Sequence, residues 1–129
     1  MGVRIAIASY GTFEQFIRRI KPFYSEEVEF VILNALFEDL KDEVRRLEKD
    51  HSVDVFVGSG GNGRFLEKYV QETPFVKVKV TGFDFLLALK KAAQYGNSTG
   101  LITFGERVPF VSSVKELLNV EVTERVYHQ

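Results

Sequence analysis

Five short stretches concentrate the glycine and hydroxyl residues that could hold a ligand. They are Ser9-Tyr10-Gly11-Thr12, Asn34-Ala35, Gly58 to Arg64, Thr81-Gly82-Phe83-Asp84 and Phe104-Gly105-Glu106-Arg107. The sharpest is Gly58-Ser59-Gly60-Gly61-Asn62-Gly63, which reads as a loop leaving a strand and entering a helix. Backbone N–H groups in such a run can converge on a phosphate or carboxylate. The same residues also serve a bare tight turn, and both readings stand. No Gly-Lys-Ser or Gly-Lys-Thr follows, so this is not a nucleotide-binding P-loop. Gly58, Gly60 and Gly63 fit a G-x-G-x-x-G spacing. They follow the third strand, and the next one does not end in an acidic residue, so the dinucleotide match is weak. In the first turn, Ser9 and Tyr10 are the candidate ligand contacts, and Thr12 reads as a helix N-cap. In the turn at 81–84, Asp84 either caps its helix or meets ligand, and Phe83 is either core or a pocket wall. The candidate binding set is therefore Ser9, Tyr10, Ser59, Gly60, Gly61, Asn62, Gly82, Phe83 and Asp84.

Catalytic chemistry has little material. The chain has no cysteine and only two histidines, His51 and His128. Thiol nucleophiles, thiolate metal sites, multi-histidine metal cages and Ser-His-Asp sites therefore lack their parts. A phosphate-accepting receiver domain needs an acidic pair after its first strand, an Asp after its third and a Lys after its fifth. Here those strands end Ala8-Ser9-Tyr10, Val57-Gly58-Ser59 and Phe104-Gly105. In a mannose-type sugar-phosphotransferase domain, the phosphorylated His would fall at Tyr10. His51 closes a helix, where a cation is favourable, and reads as structural. No catalytic residue, metal ligand or cofactor is expected.

Composition narrows the class. The chain has 129 residues, 45% hydrophobic and 27% charged, the profile of one globular domain. Seventeen basic against eighteen acidic residues give a net charge of −1, with no global argument for direct nucleic-acid or anionic-membrane binding. No apolar run has the length of a membrane span, and the N-terminus lacks a signal-peptide pattern. A cytoplasmic location is the expectation.

The elements that must position these turns alternate. Val3 to Ser9 is an apolar, β-branched strand. Thr12 opens a helix, with Gln15 in capping-box spacing, and Pro22 stops it. Val28 to Leu33 is a strand, with Glu29 as an edge mark. Residues 36–50 form a helix with a solvated charged face. Val53 to Val57 is a strand, 58–63 the glycine loop and Arg64 to Val70 a short helix. Val76 to Val80 is a strand whose alternating lysines indicate a wet face or an edge. Residues 83–95 are a helix, apolar over a wide arc and expected to be buried against more than one neighbour. Gly100 to Phe104, Pro109 to Leu118 and Val120 to Val126 complete the series as strand, helix and strand, with Val111, Val114, Leu117 and Leu118 facing inward. Such alternation calls for an α/β fold: an open, mostly parallel sheet with helices on both faces, flavodoxin-like or Rossmann-like, in three layers.

Three runs resemble a known family. They are Val53 to Asn62, Val76 to Val80, and Thr81-Gly82-Phe83-Asp84-Phe85-Leu86-Leu87-Ala88-Leu89. They resemble the N-terminal sensor domain of PrpR-type activators, sigma-54-dependent regulators of propionate catabolism. That family runs a "VDV…S-x-GG-T" strand and loop, then "V-x-V-S-G-F-D-I-L-x-A-L". Gly100 to Phe104 and Glu116-Leu117-Leu118 also fit its later strand and helix.

The resemblance implies a ligand-sensing domain attached to ATPase and DNA-binding modules, released by a small carboxylate (2-methylcitrate in the namesake system). This chain departs from the pattern at Ser59, where the family often has Arg, and at Asn62, where it has Thr or Ser. Without that guanidinium a bidentate carboxylate clamp is missing. Family domains have two α/β lobes and are longer. The expected organisation is therefore a first lobe over 1–82, a crossover helix over 83–95 and a partial second lobe over 96–129. An incomplete lobe exposes apolar surface, so a homodimer is expected, with exchange of C-terminal elements as one route. The leading function is a sensor for a small organic acid or other anionic ligand. The alternatives are a phosphate- or nucleotide-binding flavodoxin-like domain and a ligand-free dimerisation module.

Overall fold

The computed structural model describes residues 2–9, 11–24 and 26–128, with Phe37 described by its backbone alone. Strand β1 (Val3–Ala8) leads to helix α1 (Thr12–Ile20) and a 3-10 turn at Lys21–Phe23. Then come β2 (Val28–Leu33), α2 (Phe37–Lys49), β3 (Val55–Ser59), α3 (Gly60–Tyr69) and β4 (Phe75–Val78). The chain continues with α4 (Gly82–Ala92), β5 (Ser98–Phe104), α5 (Val111–Leu118) and β6 (Glu121–Tyr127). Contacts divide it into two compact units, Met1–Lys79 and Val80–Gln129.

The first unit holds a four-stranded sheet in the order β2-β1-β3-β4. Every pairing is parallel, with Ala8 opposite Leu33 on one side and Gly58 on the other. This is the doubly wound order, and the expected fold class holds. Right-handed crossovers put α1 on one face and α2 and α3 on the other. The main core lies under α2 and α3. Leu40, Val44, Leu47 and Leu66 bury themselves against Ala6, Ala8, Leu33 and Phe56. Ile7, which alternates to the opposite face, is 2% exposed, and Ile17 is the buried residue of α1. Glu29 lies on the edge strand β2, where the Arg4 guanidinium of β1 donates to it at 3.2 Å.

Several local expectations change. Thr12 is the first helical residue of α1 rather than its cap. Gly11 holds the cap position at φ 62°, and no side chain bonds there. β4 lies at the edge of the sheet, as its lysines indicated, but the wetter face is the valine face. Val76 and Val78 are exposed, while Lys77 is half-buried beside α3 and pairs with Glu67 at 3.4 Å. Its aliphatic stem covers the helix and its ammonium reaches water. His51 takes φ 47° just past α2 and closes the helix. Its N–H bonds Glu48 O at 3.0 Å, and that of Ser52 bonds Leu47 O at 3.1 Å.

The second unit is a β5-α5-β6 crossover with α4 packed on α5. Phe85, Leu89, Val114 and Val120 form its core, and the rings of Phe85 and Phe110 lie 5.7 Å apart. Burial of α4 on several sides is not observed: Phe83 is 67% and Leu87 50% exposed. Leu117 is exposed too, so α5 buries Val114 with Val111 and Leu118 alongside.

One carboxylate organises the turn between α3 and β4. Glu48 accepts the N–H groups of Gln71, Glu72 and Thr73 at 2.9–3.2 Å. Burial pushes its carboxyl up, but these backbone bonds outweigh that and hold it below its ordinary value. Because the folded-state value is depressed, the associated stability is present above the unfolded value and is lost as pH falls through the folded one. Glu48→Ala should cost about 1 kcal/mol in urea denaturation at neutral pH. The difference from the parent chain should shrink as pH falls below the ordinary glutamate value. A constant difference across that range would show that the carboxylate charge is not responsible.

Candidate functional site

In a sheet of this order, ligands sit outside the carboxyl ends of the strands, where the winding reverses. Here the reversal falls between β1 and β3, which are neighbours with Ala8 level with Gly58. Ser9 follows β1 and Ser59 ends β3, so the pairing brings these two predicted residues side by side. Ser9 N–H donates to Leu33 O at 3.2 Å. Its side chain is fully buried, and among the described residues its hydroxyl has no hydrogen-bond partner. Tyr10 lies outside the described residues.

The glycine run is not a loop. β3 includes Gly58 and Ser59, and α3 begins at Gly60, so strand passes directly into helix. Three of the four glycines have a packing or backbone reason. A Cβ on Gly58 would lie 2.7 Å from Leu66 Cδ1 and 3.2 Å from Gly63 N. One on Gly63 would lie 2.9 Å from Lys77 Cγ and 3.1 Å from Gly58 O. Gly60 has open space around it but takes φ 55°, a conformation that disfavours side chains. Gly60, Gly61 and Asn62 are thus the first turn of α3, where N–H groups lack intrahelical acceptors. Ser59 makes no side-chain cap there, and no acidic residue occupies that turn.

Gly11 repeats the device one strand away, with positive φ at the start of α1 and no side-chain cap. Helices α2 and α5 also begin without side-chain caps. An open first turn alone therefore does not distinguish α1 and α3. What does is the buried, unpartnered Ser9 hydroxyl at the strand end between their starts.

Gly82, Phe83 and Asp84 lie in the second unit, in the first turn of α4. Thr81 caps this helix. Asp84 Oδ2 accepts from Thr81 N at 2.9 Å and from Thr81 Oγ1 at 2.7 Å, and Asp84 N donates to Thr81 Oγ1 at 3.1 Å. The Thr81 hydroxyl, then its N–H, holds the Asp84 carboxyl below its usual range. A Cβ added to Gly82 would lie 3.8 Å from the Phe110 ring, an ordinary contact.

Sequence reading missed Thr103. Near the carboxyl end of β5, its Oγ1 is buried and has no hydrogen-bond partner among the described residues. The available signal was a hydroxyl inside the apolar run Leu101 to Phe104. At the end of β2, an open hollow of about 430 Å³ is lined by Ile32 to Ala35 with Asp39, Asp42 and Glu43. Three carboxylates make it unsuited to an anion. Arg107 is paired with Glu124 at 3.4 Å. Among the described residues, no group of three or more His, Asp or Glu is placed to hold a metal ion, and no helix is long and apolar enough to cross a membrane.

The sequence matches the family described as "Propionate catabolism activator" over residues 24–129. The fold is similar to the crystal structure of an NtrC family transcriptional regulator from Clostridium acetobutylicum, at 20% identity and a TM-score of 0.80. That likeness covers 100% of this chain and 67% of the regulator's.

The glycines give a direct test. Gly58→Ala should destabilise by about 1–3 kcal/mol through overpacking against Leu66 and the α3 backbone. Gly60→Ala should cost about 1–2 kcal/mol through its positive φ alone, and Gly60→Asn should cost less. Equal effects of Ala and Asn at position 60 in chemical denaturation would exclude the backbone explanation.

Proposed function

The chain belongs to the propionate catabolism activator (PrpR N-terminal) family, and we propose that it is the sensor part of a sigma-54-dependent transcriptional regulator. In this reading it binds a small anionic metabolite, such as an organic acid, and thereby controls an attached ATPase and DNA-binding region in the cytoplasm. Its role is regulatory rather than enzymatic. The observation that carries the proposal is the Ser9 hydroxyl at the end of β1, which is buried with no hydrogen-bond partner among the described residues. Leaving such a group unsatisfied costs about 1–3 kcal/mol, and a ligand oxygen would meet that need.

The first-turn N–H groups of α3, from Gly60 to Asn62, and the Ser59 hydroxyl supply the remaining contacts. They suit one carboxylate or phosphate rather than a tricarboxylate, because Ser59 replaces the family's guanidinium. Tyr10 remains a contact in this proposal. Gly82, Phe83 and Asp84 are proposed as contacts of the second unit, with the exposed Phe83 ring meeting ligand and Asp84 holding the turn. To signal, the ligand must bind two conformational states with unequal affinity.

A thermal-shift panel of short organic acids, inorganic phosphate, nucleotides and flavins tests this. A true ligand at 100 times its Kd should add about 2.7 kcal/mol of stability. Ser9→Ala should leave unliganded stability equal or slightly higher and abolish the shift. Stabilisation by nucleotides or flavins alone would favour the nucleotide-binding alternative. A Ser9→Ala chain that keeps the organic-acid response would remove the site from this place.

A further inference from the structure

The outer edge of β6 carries charges of opposite sign spaced evenly about Thr123. Among the described strands, β6 is hydrogen-bonded to β5 alone. Glu121 N donates to Asn97 O at 2.8 Å, and Tyr127 O accepts from Gly105 N at 2.9 Å. Odd-numbered residues of β6 therefore direct their backbone groups to β5. Val122, Glu124 and Val126 direct theirs to the open edge. Glu121, Thr123, Arg125 and Tyr127 are exposed on the uncovered face. Glu124 is spoken for on the helix side, where it accepts from Val108 N at 3.3 Å and pairs with Arg107.

We propose that a second copy of this chain docks antiparallel on this edge, with Thr123 opposite Thr123 of the other copy. The register follows from the charges. A two-fold axis at Thr123 sets Glu121 opposite Arg125 twice, and sets Val122 opposite Glu124. The outward backbone groups at 122 and 124 then exchange hydrogen bonds. Positions 121, 123 and 125 become non-hydrogen-bonded pairs, whose side chains approach most closely. Opposite charges and paired threonines are both favourable at such positions. Charges on an edge strand ordinarily deter pairing. Here they are of opposite sign and equally spaced about one residue, so a copy satisfies them and a strand of uniform charge does not. The outer edge of β5 offers Ser98, Gly100 and Ile102 on the same face, without such a pattern. The resulting sheet runs β5-β6-β6-β5 across the two copies. It adds backbone pairing to a two-stranded sheet that is marginal alone.

The test uses the 129-residue chain, which has no cysteine. In a non-hydrogen-bonded pair the Cα atoms lie about 4.5 Å apart, within the ~4.4–6.8 Å that a disulfide spans. Thr123→Cys should therefore form a covalent dimer on mild oxidation, while Ile102→Cys and Tyr127→Cys should not. In sedimentation equilibrium, Glu121→Arg and Arg125→Glu should each weaken the dimer by about tenfold. The double exchange should restore it. All five positions are exposed, so folding is spared. A monomer at high concentration, equal cross-linking of Ile102→Cys, or a dimer indifferent to charge reversal would overturn the proposal.

Discussion

The close approach of β3 to α3 is the constraint on which the first unit depends. Gly58 and Gly63 face each other with no room for a Cβ on either. The helix can therefore begin the moment the strand ends, and Leu66 joins the core that includes Phe56 and Leu40. Lys77 on β4 lays its stem over the same small residue. A bulkier pair would lift α3, loosen β4 and displace the first helical N–H groups from the end of β1. Packing and the placement of the first α3 N–H groups thus rest on the same two absent side chains.

The electrostatic character of the site follows from that arrangement. In the proposed site the attraction for an anion would come from backbone N–H groups at helix starts, which need no lysine or arginine. This suits a chain whose formal charge is −1. A field made of fixed dipoles is short-ranged and directional. For the proposed anion, such a field would discriminate by where the oxygens fall and would do little to gather anions from a distance. The hollow at the end of β2, lined by Asp39, Asp42 and Glu43, is acidic instead.

The sequence revealed the alternation, the parallel sheet and the positions of the strand-end turns, because strand and helix periodicities are local. It also placed β2 and its edge mark correctly. The errors arose where tertiary contacts decide. The glycine run read as a loop because glycine signals turning. Two of those glycines instead permit contact between elements, a role that only packing reveals. Thr12 carried a capping signal, yet Gly11 took the cap because the chain needs a positive φ there. The wide apolar arc of α4 predicted burial on several sides, while Phe83 and Leu87 lie exposed. For the site, Ser9 was legible as a residue at a strand end. Its missing hydrogen bond was not, since satisfaction depends on neighbours from β2 and β3.

The two units have separate cores, and the second rests on four buried residues around a two-stranded sheet. Cooperative unfolding requires that each part lose its stability when the other melts. Two cores of unequal size weaken that requirement, and the smaller one opens first as a local unit. A single melting temperature then reports mainly on the four-stranded sheet. Amide exchange would resolve the β5–β6 segment as a region of its own, with protection set by its few apolar contacts.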